Sequence, residues 1–268
     1  MNIYALKTHK ITKDDTDLFA VLDKYLPKLS ENTVLAITSK IVSITEGRIV
    51  PIRKVPQVSE VPQVSQGEEN EDNKELKDHL IEQESQFYLP RDENPHGVSL
   101  TITNNSLVAT AGIDESNANG HYILWPKNPQ ESANRVRRHI REIRSVRNIG
   151  VIITDSRTAP MRWGVTAFAI AYSGFVPLKD YIGTPDIFGR PFKYEKLNIA
   201  DSLASAVTVV MGEGNEQTPM SVIEDIPFVT FQDSDPTEDE LASLRISPAE
   251  DLYAPLLKSV QWKKGKAK

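Results

Sequence analysis

Three acidic side chains each end a strand-like or helix-like run beside glycine: Asp114, Asp155 and Glu213. Asp155 follows an apolar run over residues 149–154, which predicts a buried strand that ends abruptly at this carboxylate. Carboxylates that converge from distant parts of a chain suit a hard cation such as Mg²⁺ or Mn²⁺, and the hydroxyl of Ser156 can add a ligand. Taken alone, each carboxylate is better explained as a turn or cap residue. The three together favour a metal-and-phosphate site.

Two glycine-containing stretches extend this hypothesis. One has the spacing D-x-x-G-x-x-D-x-x-G-R, from Asp180 through Asp186 to Arg190, and the other is Met211-Gly212-Glu213-Gly214. The nucleotide-binding patterns G-x-x-x-x-G-K-[ST] and G-x-G-x-x-G do not occur, and neither does the hydrolase pattern G-x-S-x-G. A nucleotide must therefore be held by less familiar parts of the chain.

The elements that would carry these residues follow from periodicity and turn signals. Besides the strand at 149–154, strands are predicted at residues 2–6, 34–38, 48–52, 98–103, 107–110, 220–223 and 228–231, with a small-residue segment over 165–173. Helices are predicted at residues 18–26, 73–85, 130–146, around Asp201, and at 248–262. The residues from Thr12 to Asp15 resemble a capping box for the first helix. The lysine-rich end, residues 263–268, is predicted to be a frayed tail.

Residues 54–74 have a different character. The sequence VPQVSE at residues 55–60 returns almost letter for letter as VPQVSQ at 61–66, and an acidic run continues from there to Glu75. Such low complexity predicts a mobile, extended surface loop, most simply a tolerated insertion without a function of its own.

The helix predicted at residues 130–146 is rich in arginine. Its apolar residues Val136, Ile140 and Ile143 share one face, and arginines crowd the other sides: Arg135, Arg137, Arg138, Arg141, Arg144 and Arg147. The simplest interpretation is a solvated face. The sharper alternative is that one or two of these arginines reach an anionic ligand or a partner subunit.

Composition restricts the classes of function. The chain has 268 residues, 39% hydrophobic and 25% charged, which is enough for one large domain or two modest ones. The net charge is −6 and no aromatic residues interleave with the arginines, so nucleic-acid binding is disfavoured. Cysteine is absent, which excludes disulfides and thiolate chemistry. No apolar run approaches a membrane span and no signal peptide is recognisable, so a cytoplasmic protein is expected.

Several of these motifs, taken as a set, resemble the coenzyme F-420:L-glutamate ligase (F-420-0:γ-glutamyl ligase) family. The resemblance covers most of residues 33–52 and 107–223. It is carried by the two glycine-containing stretches above and by three further runs: Ser39-Lys40-Ile41-Val42-Ser43 with Glu46-Gly47-Arg48, Ala111-Gly112-Ile113-Asp114 with Asn117, and residues 150–156. The resemblance implies an α+β fold with mixed sheets and flanking helices. It also implies one ligase-like domain over residues 1–268, or two subdomains with the site between them.

The family uses GTP and a divalent cation, Mg²⁺ or Mn²⁺, to attach L-glutamate to a small anionic deazaflavin acceptor through an amide bond. The resemblance therefore implies a homodimer and a set of site residues. Metal ligands would be Asp114, Asp155, Ser156 and Glu213, and nucleotide contacts would come from Ser39, Lys40, Asn117 and residues 211–218, including Met211, Gly212, Glu213 and Gly214. Catalytic roles would fall to Asp155, and to Arg162 and Arg190 as clamps on phosphate or on carboxylates.

The chain departs from the family pattern near the nucleotide and the acceptor. A second lysine of the family is Ile44 here, which either removes a phosphate contact or turns this side chain toward the core. The family's Gly-Arg-Pro-Trp-Arg becomes residues 158–162, its Asp-Glu pair becomes Asp201-Ser202, and residues 9–12 lack the usual Gly-x-Pro. Two alternatives to the leading function therefore stay open. The ligase could use another acceptor, such as a pterin, a folate or a protein tail, or the protein could be a non-catalytic nucleotide or metal sensor.

Overall fold

The structure is a computed structural model that describes residues 1–52 and 71–267. In chain order the strands are β1 (Asn2–Leu6), β2 (Thr33–Thr38), β3 (Ile49–Pro51), β4 (Phe87–Leu89), β5 (Leu100–Thr103), β6 (Ser106–Ala109), β7 (His121–Ile123), β8 (Ile149–Thr158), β9 (Val165–Ser173), β10 (Leu178–Asp180), β11 (Lys196–Asn198), β12 (Met220–Glu224) and β13 (Lys263–Lys264). The helices are α1 (Leu18–Tyr25), α2 (Ser39–Thr45), α3 (Glu71–Glu84), α4 (Pro129–Arg144), α5 (Ile199–Met211), α6 (Glu238–Ser243) and α7 (Ala254–Leu257), and short 3₁₀ turns lie at Arg91–Glu93 and Thr110–Gly112.

A five-stranded sheet forms the centre, with the order β1-β12-β2-β8-β9. Strands β2 and β8 run parallel, with Thr38 opposite Thr154, and the other neighbours in this sheet are antiparallel. Because side chains alternate along a strand, Leu35 and Ile37 of β2 pack toward α1, α2 and α4, while Val34 and Ala36 pack toward α5. The mixed sheet with flanking helices confirms the α+β prediction.

A smaller assembly lies beside this sheet. It combines the sheet β13-β4-β5-β6, the ribbon β3-β7 and helix α3. Ile81 of α3 packs there with Ile113, Tyr122 and Leu124. These residues form an apolar cluster of their own, distinct from the cores on the two faces of the main sheet. The assembly delivers the loop that carries Asp114 to the edge of the main sheet.

Strand β8 is longer than predicted. It does not end at Asp155 but continues to Thr158, because its antiparallel pairing with β9 outlasts its parallel pairing with β2. The register of β8 against β9 shifts between Ile153 and Thr154, immediately before Asp155. Such irregularities bend a strand and redirect the side chains beyond them.

Other corrections concern element ends. The cap of α1 is Asp17, whose Oδ1 accepts from the backbone N–H of Phe19, whereas Thr12 and Asp15 form a separate turn ahead of it. Of the predicted loop at 54–74, residues 71–74 are already helical and the repeat lies outside the described residues. In place of a strand at 228–231, Phe231 forms an isolated bridge with Phe175.

The end of the chain is also more ordered than predicted. Of residues 248–262 only Ala254–Leu257 are helical, and side chains such as Asp251 hold the remainder in turns. Residues 263–267 are not frayed: Lys263 and Lys264 pair with β4 as strand β13, and Lys266 Nζ lies 3.2 Å from Glu82, whereas Lys268 lies outside the described residues. Within the described residues, no helix is both long and apolar enough to cross a membrane.

The arginine-rich helix α4 is not a simple solvated face. Arg137 is 1% exposed and donates to the Asp235 carboxylate and to the backbone carbonyls of Gln232 and Asp233. Arg138, Arg141 and Arg147 pair with the same acidic segment, through Asp235 or Asp233. Conversely Ile143, predicted for the apolar face, is 39% exposed. The arginines of this helix therefore fasten residues 232–235 to the body of the fold.

We expect Arg137→Ala to destabilise the protein by about 3 kcal/mol, because it removes a buried side chain together with its hydrogen bonds to Asp235 and to the carbonyls of Gln232 and Asp233. Arg135→Ala on the exposed side of the same helix is the matched control and should cost less than about 1 kcal/mol. Urea unfolding of both variants measures the difference. Equal midpoints for the two variants would show that the buried arginine does not fasten the C-terminal segment.

Candidate functional site

A cavity with a volume of about 570 Å³ lies at the carboxyl ends of the parallel strands β2 and β8. This is the edge where ligands bind in many α/β sheets, and the volume suits a ligand of nucleotide size. Five segments form most of the lining: residues 8–13, the junction of β2 with α2, residues 114–123, the middle of β8, and the end of α5 with the loop after it. Ile49 of β3 and Ala167 of β9 complete it.

The cavity brings together all the residues predicted as metal ligands or nucleotide contacts. Its lining includes Ser39, Lys40, Asp114, Asn117, Asp155, Ser156, Met211, Gly212, Glu213 and Gly214. These residues come from four distant parts of the chain, so their meeting results from the strand order rather than from local sequence. Because the carboxylates among them meet in one cavity, they are better explained as parts of a binding site than as separate turn or cap residues.

Asp114 is held ionised by its neighbours. Lys40 Nζ lies 2.6 Å from Asp114 Oδ2, and the backbone N–H of Ser116 donates to Oδ1 at 2.7 Å. Burial by itself would raise the pKa of Asp114, but the Lys40 charge and these hydrogen bonds outweigh it and lower the pKa below its ordinary value. Lys40 also donates to the carbonyl of Ser116, so the lysine ties α2 to the 114–119 loop.

Asp155 has the opposite balance. Desolvation at the buried edge of the sheet raises the pKa of its carboxyl to about 6, and the negative charge of Asp114 acts in the same direction. Hydrogen bonds from the Trp125 indole and the Ser156 backbone favour the ionised form but only partly offset the burial. A cation bound beside these two neighbouring carboxylates would stabilise the ionised form of both.

The opposite wall is a polar loop after α5. Ser156 Oγ donates to both carboxylate oxygens of Glu213, at 2.8 and 2.9 Å. Asn117 Nδ2 donates to the carbonyl of Gly214 at 2.8 Å and so joins this loop to the loop of Asp114. Gly212 has a φ of +75°, which disfavours any side chain at this position, and the Glu216 carboxylate lies against it.

Arg162 and Arg190 are not part of the cavity lining. Arg162 lies in the exposed connection between β8 and β9, and Arg190 lies on the excursion between β10 and β11. The carboxylates of the D-x-x-G-x-x-D-x-x-G-R motif serve as turn acceptors: Asp180 accepts from the backbone of Ile182, and Asp186 accepts from the backbone of Arg190. This motif therefore builds a projecting hairpin, which carries Arg190 away from the cavity lining.

The sequence analysis does not identify three residues at or behind the cavity: Lys10, Lys13 and Trp125. Lys10 and Lys13 face the cavity from the first loop, and neither makes an ion pair or a hydrogen bond with any other described residue. Trp125 does not line the cavity; it lies behind Asp155 and donates its indole N–H to that carboxylate. The occurrence of two lysines within residues 9–13 is the one sequence signal that could have indicated Lys10 and Lys13.

The interpretation of Ile44 as a core residue is confirmed. Its side chain is 6% exposed and packs with Ala118 and Ile123, and it contributes to the apolar floor of the cavity. Asp201 is likewise structural, since it accepts from the backbone of Ala169 and pairs with Arg157.

The donor chemistry fits a hard divalent cation. The oxygen atoms of Asp114, Asp155, Ser156 and Glu213 are the ligand type that Mg²⁺ and Mn²⁺ prefer. Within residues 1–52 and 71–267, however, no three carboxylate or imidazole groups are already arranged as a closed metal site. Lys40 occupies one side of Asp114 and Ser156 occupies Glu213, so the cavity presents Asp114 and Asp155 as the paired carboxylates.

Comparison with known proteins gives a consistent result. A family model described as F420-0:Gamma-glutamyl ligase matches residues 5–225, a range that contains every residue of the cavity. A protein named coenzyme F420:L-glutamate ligase from Methanococcus maripaludis strain C7 is 45% identical over 125 residues, which are 47% of this chain and 50% of that relative. Proteins of the same name from Methanopyrus kandleri and Methanocaldococcus jannaschii are 35% and 32% identical, covering 72% and 75% of this chain and 74% and 79% of the relatives.

We expect Asp155→Asn to stabilise the protein without divalent cations at pH 7.5. In the wild type, the carboxyl has a pKa of about 6 in the folded state against 3.8 as the ordinary value. Ionisation therefore costs stability progressively between these values and costs about 2–3 kcal/mol above pH 6. Asparagine keeps the acceptor for Trp125 and avoids this cost, whereas below pH 4 the variant and wild type should be equal.

Asp114→Asn is the matched control for this prediction. The pKa of Asp114 is lowered in the folded state, so its ionised form contributes stability at neutral pH and its loss should lower the melting temperature there. Calorimetry of both variants at pH 4 and 7.5 in the presence of a chelator decides. A fall in melting temperature for Asp155→Asn at pH 7.5 would contradict the assigned burial cost.

Proposed function

Because the chain belongs to the F420-0:γ-glutamyl ligase family, we propose that it adds L-glutamate to the deazaflavin coenzyme F420-0 through an amide bond, with GTP and a divalent cation. The observation that carries this proposal is the convergence of Asp114, Asp155, Ser156 and Glu213 in one cavity that also holds three lysines. The relatives bear the name of this ligase, and the family match contains the whole cavity. The γ-glutamyl linkage, the use of GTP and the metal dependence are all part of the proposal.

The chemistry needs two consecutive transfers. The acceptor carboxylate attacks the γ-phosphorus of GTP, so that GDP leaves and an acyl phosphate forms. The glutamate amine then attacks the acyl carbon, inorganic phosphate leaves with the former carboxylate oxygen, and the amine gives up its proton. Both steps place negative charge on phosphate oxygens, so the site must supply positive charge and exclude water.

The chain can supply that charge from two sides. Lys10 and Lys13 line the cavity without partners among the described residues, so their ammonium groups are available for phosphate oxygens. Their loop is held in place because His9 is bonded to Asp15 and Tyr25, and the backbone N–H of Thr8 donates to the carbonyl of Gln217. These two lysines offer the phosphate contacts that Ile44 does not provide.

The carboxylates form the complementary half of the site. A divalent cation held by Asp114, Asp155 and the hydroxyl of Ser156, with Glu213 beside them, would neutralise the triphosphate and polarise the transferred group. Lys40 keeps Asp114 ionised, and Asn117 fixes the distance between the two loops that carry Asp114 and Glu213. The apolar floor around Ile44, Ala118 and Ile123 offers a surface for a planar ring.

A direct assay tests the function. Purified protein with GTP, Mn²⁺, L-glutamate and F420-0 should give a product heavier by one glutamate residue, together with GDP and phosphate, as read by mass spectrometry. Asp155→Asn should lower the turnover by a factor of at least about 100, because a neutral amide replaces a charged ligand beside phosphate. Omission of F420-0 and its replacement by a folate or a pterin test the acceptor. Ligation to one of those with none to F420-0 would transfer the proposal to that acceptor.

We also propose that two copies pair through the projecting hairpins. Apolar side chains there are almost fully exposed, with Trp163 at 95% and Phe188 at 89%. They lie on the β8–β9 connection and on the β10–β11 excursion, neither of which is covered by the core of its own chain. Short two-stranded hairpins are marginal without packing, so a second copy is the occupant that best accounts for these surfaces.

We expect wild-type protein to sediment as a dimer and Phe188→Asp to shift it toward the monomer, because a charge cannot be buried at such a contact. Leu252→Asp is the matched control: Leu252 is 86% exposed but lies in the C-terminal segment, outside the family match. Analytical ultracentrifugation over a range of concentrations gives the comparison. If Leu252→Asp and Phe188→Asp behave alike, the hairpins do not form the interface.

A further inference from the structure

The indole of Trp125 lies behind Asp155 and holds one of its oxygens. Trp125 comes after strand β7, is buried, and donates its Nε1 hydrogen to Asp155 Oδ2. The ring also packs against Phe168, the residue that faces Asp155 in the pairing of β8 with β9. Trp125 thereby holds one carboxylate oxygen from the rear, while Ser39 and the Ser156 backbone donate to the same carboxylate at the cavity wall.

The backbone at Gly112 is pressed against the same indole. A Cβ atom at this position would collide with Trp125 Nε1 and Cε2, which excludes any side chain. Gly112 therefore has to be glycine both for its φ of +72° and for this contact. The contact falls on the edge of the ring that carries the donated hydrogen, so it sets the direction of the bond to Asp155.

The turn that contains Gly112 is conformationally costly. Thr110 and Ala111 have φ values of 52° and 54°, in the left-handed region that side chains with a Cβ disfavour. Hydrogen bonds hold the turn, from the Thr110 N–H to the carbonyl of Ser99 and from the Ala111 N–H to Thr101 Oγ1. A strained turn that is this firmly anchored provides a rigid support for the residues after it.

Asp114 lies immediately beyond this turn. Its backbone exchanges two hydrogen bonds with Ile123, at 2.9 and 2.8 Å, and Ile123 stands two residues before Trp125. The Gly112 turn therefore precedes Asp114 in the chain and contacts Trp125, and Trp125 in turn donates a hydrogen bond to Asp155. Both carboxylates are positioned by one assembly behind the cavity.

We propose that Trp125 is a positioning residue that, with Gly112, sets the relation of Asp155 to Asp114 and thereby the affinity of the cavity for a divalent cation. This inference rests on the proposed function only in assigning the cation to these two carboxylates. Trp125 itself does not touch the cation; it acts by restricting Asp155 to one orientation, so that no ordering has to occur when a cation binds.

The test measures Mn²⁺ binding directly, by the loss of the free-ion signal in electron paramagnetic resonance. Trp125→Phe keeps an aromatic ring but removes the donor, and it should weaken Mn²⁺ binding about tenfold or more. Gly112→Ala should weaken binding at least as much by displacing the ring. Trp262→Phe is the matched control, because this indole also donates a hydrogen bond, to the carbonyl of Leu257, far along the chain.

A second measurement does not depend on the folding of a Trp125 variant. The chain has three tryptophans, so Trp163→Phe combined with Trp262→Phe leaves Trp125 as the sole tryptophan fluorophore. Paramagnetic Mn²⁺ should then quench its emission, Mg²⁺ should not, and Asp155→Asn should abolish the quenching. Mn²⁺ binding of wild-type strength in Trp125→Phe, or bound Mn²⁺ without quenching, overturns the positioning role and leaves the proposed function standing. Failure of the wild type to bind Mn²⁺, with or without GTP, overturns the metal assignment and the positioning role together.

Discussion

The parallel pairing of β2 with β8 is the constraint from which the cavity is built. It sets Thr38 beside Thr154, so Ser39 at the start of α2 and Asp155, the next residue of β8, lie side by side where the parallel pairing ends. Every other wall is positioned relative to that edge: α5 packs on β9 and ends above Ser156, and the loop of Asp114 approaches from the smaller sheet. If this register slipped by one residue, the side chains of β8 would exchange faces and Asp155 would leave the cavity.

The electrostatics of the cavity depend on the depth of this edge. Asp155 sits where the sheet is dry, which raises its pKa, whereas Asp114 sits beside Lys40, which lowers its pKa. An arrangement that destabilises one ionised carboxylate and stabilises its neighbour is characteristic of binding sites rather than of stable cores. The free-energy cost of ionising Asp155 is reduced by hydrogen bonds, since Trp125, Ser39 and the Ser156 backbone all donate to its carboxylate.

The segment after residue 225 lies outside the family match, yet it is integrated into the fold. Arg137, buried in α4, takes hold of residues 232–235, and β13 adds a strand to the smaller sheet. This segment therefore connects the helix behind the main sheet with the sheet that carries the Asp114 loop. The same contacts give Arg137, Arg138 and Arg141 of α4 partners within the chain, so these three arginines need no nucleic-acid ligand to account for them.

The sequence by itself determined the main strands, the hairpin at Asn104 and Asn105, and the identity of the carboxylates, because apolar alternation and turn residues are local signals. Motif resemblance supplied the family, since it compares residues one by one and needs no geometry. The tertiary structure alone decided that Arg162 and Arg190 lie apart from the carboxylates, that Arg137 is buried, and that Lys10 and Lys13 face the cavity. These properties depend on which distant segments become neighbours. The burial of a side chain, its ion pairs and its pKa are set by that packing and cannot be read from the local sequence.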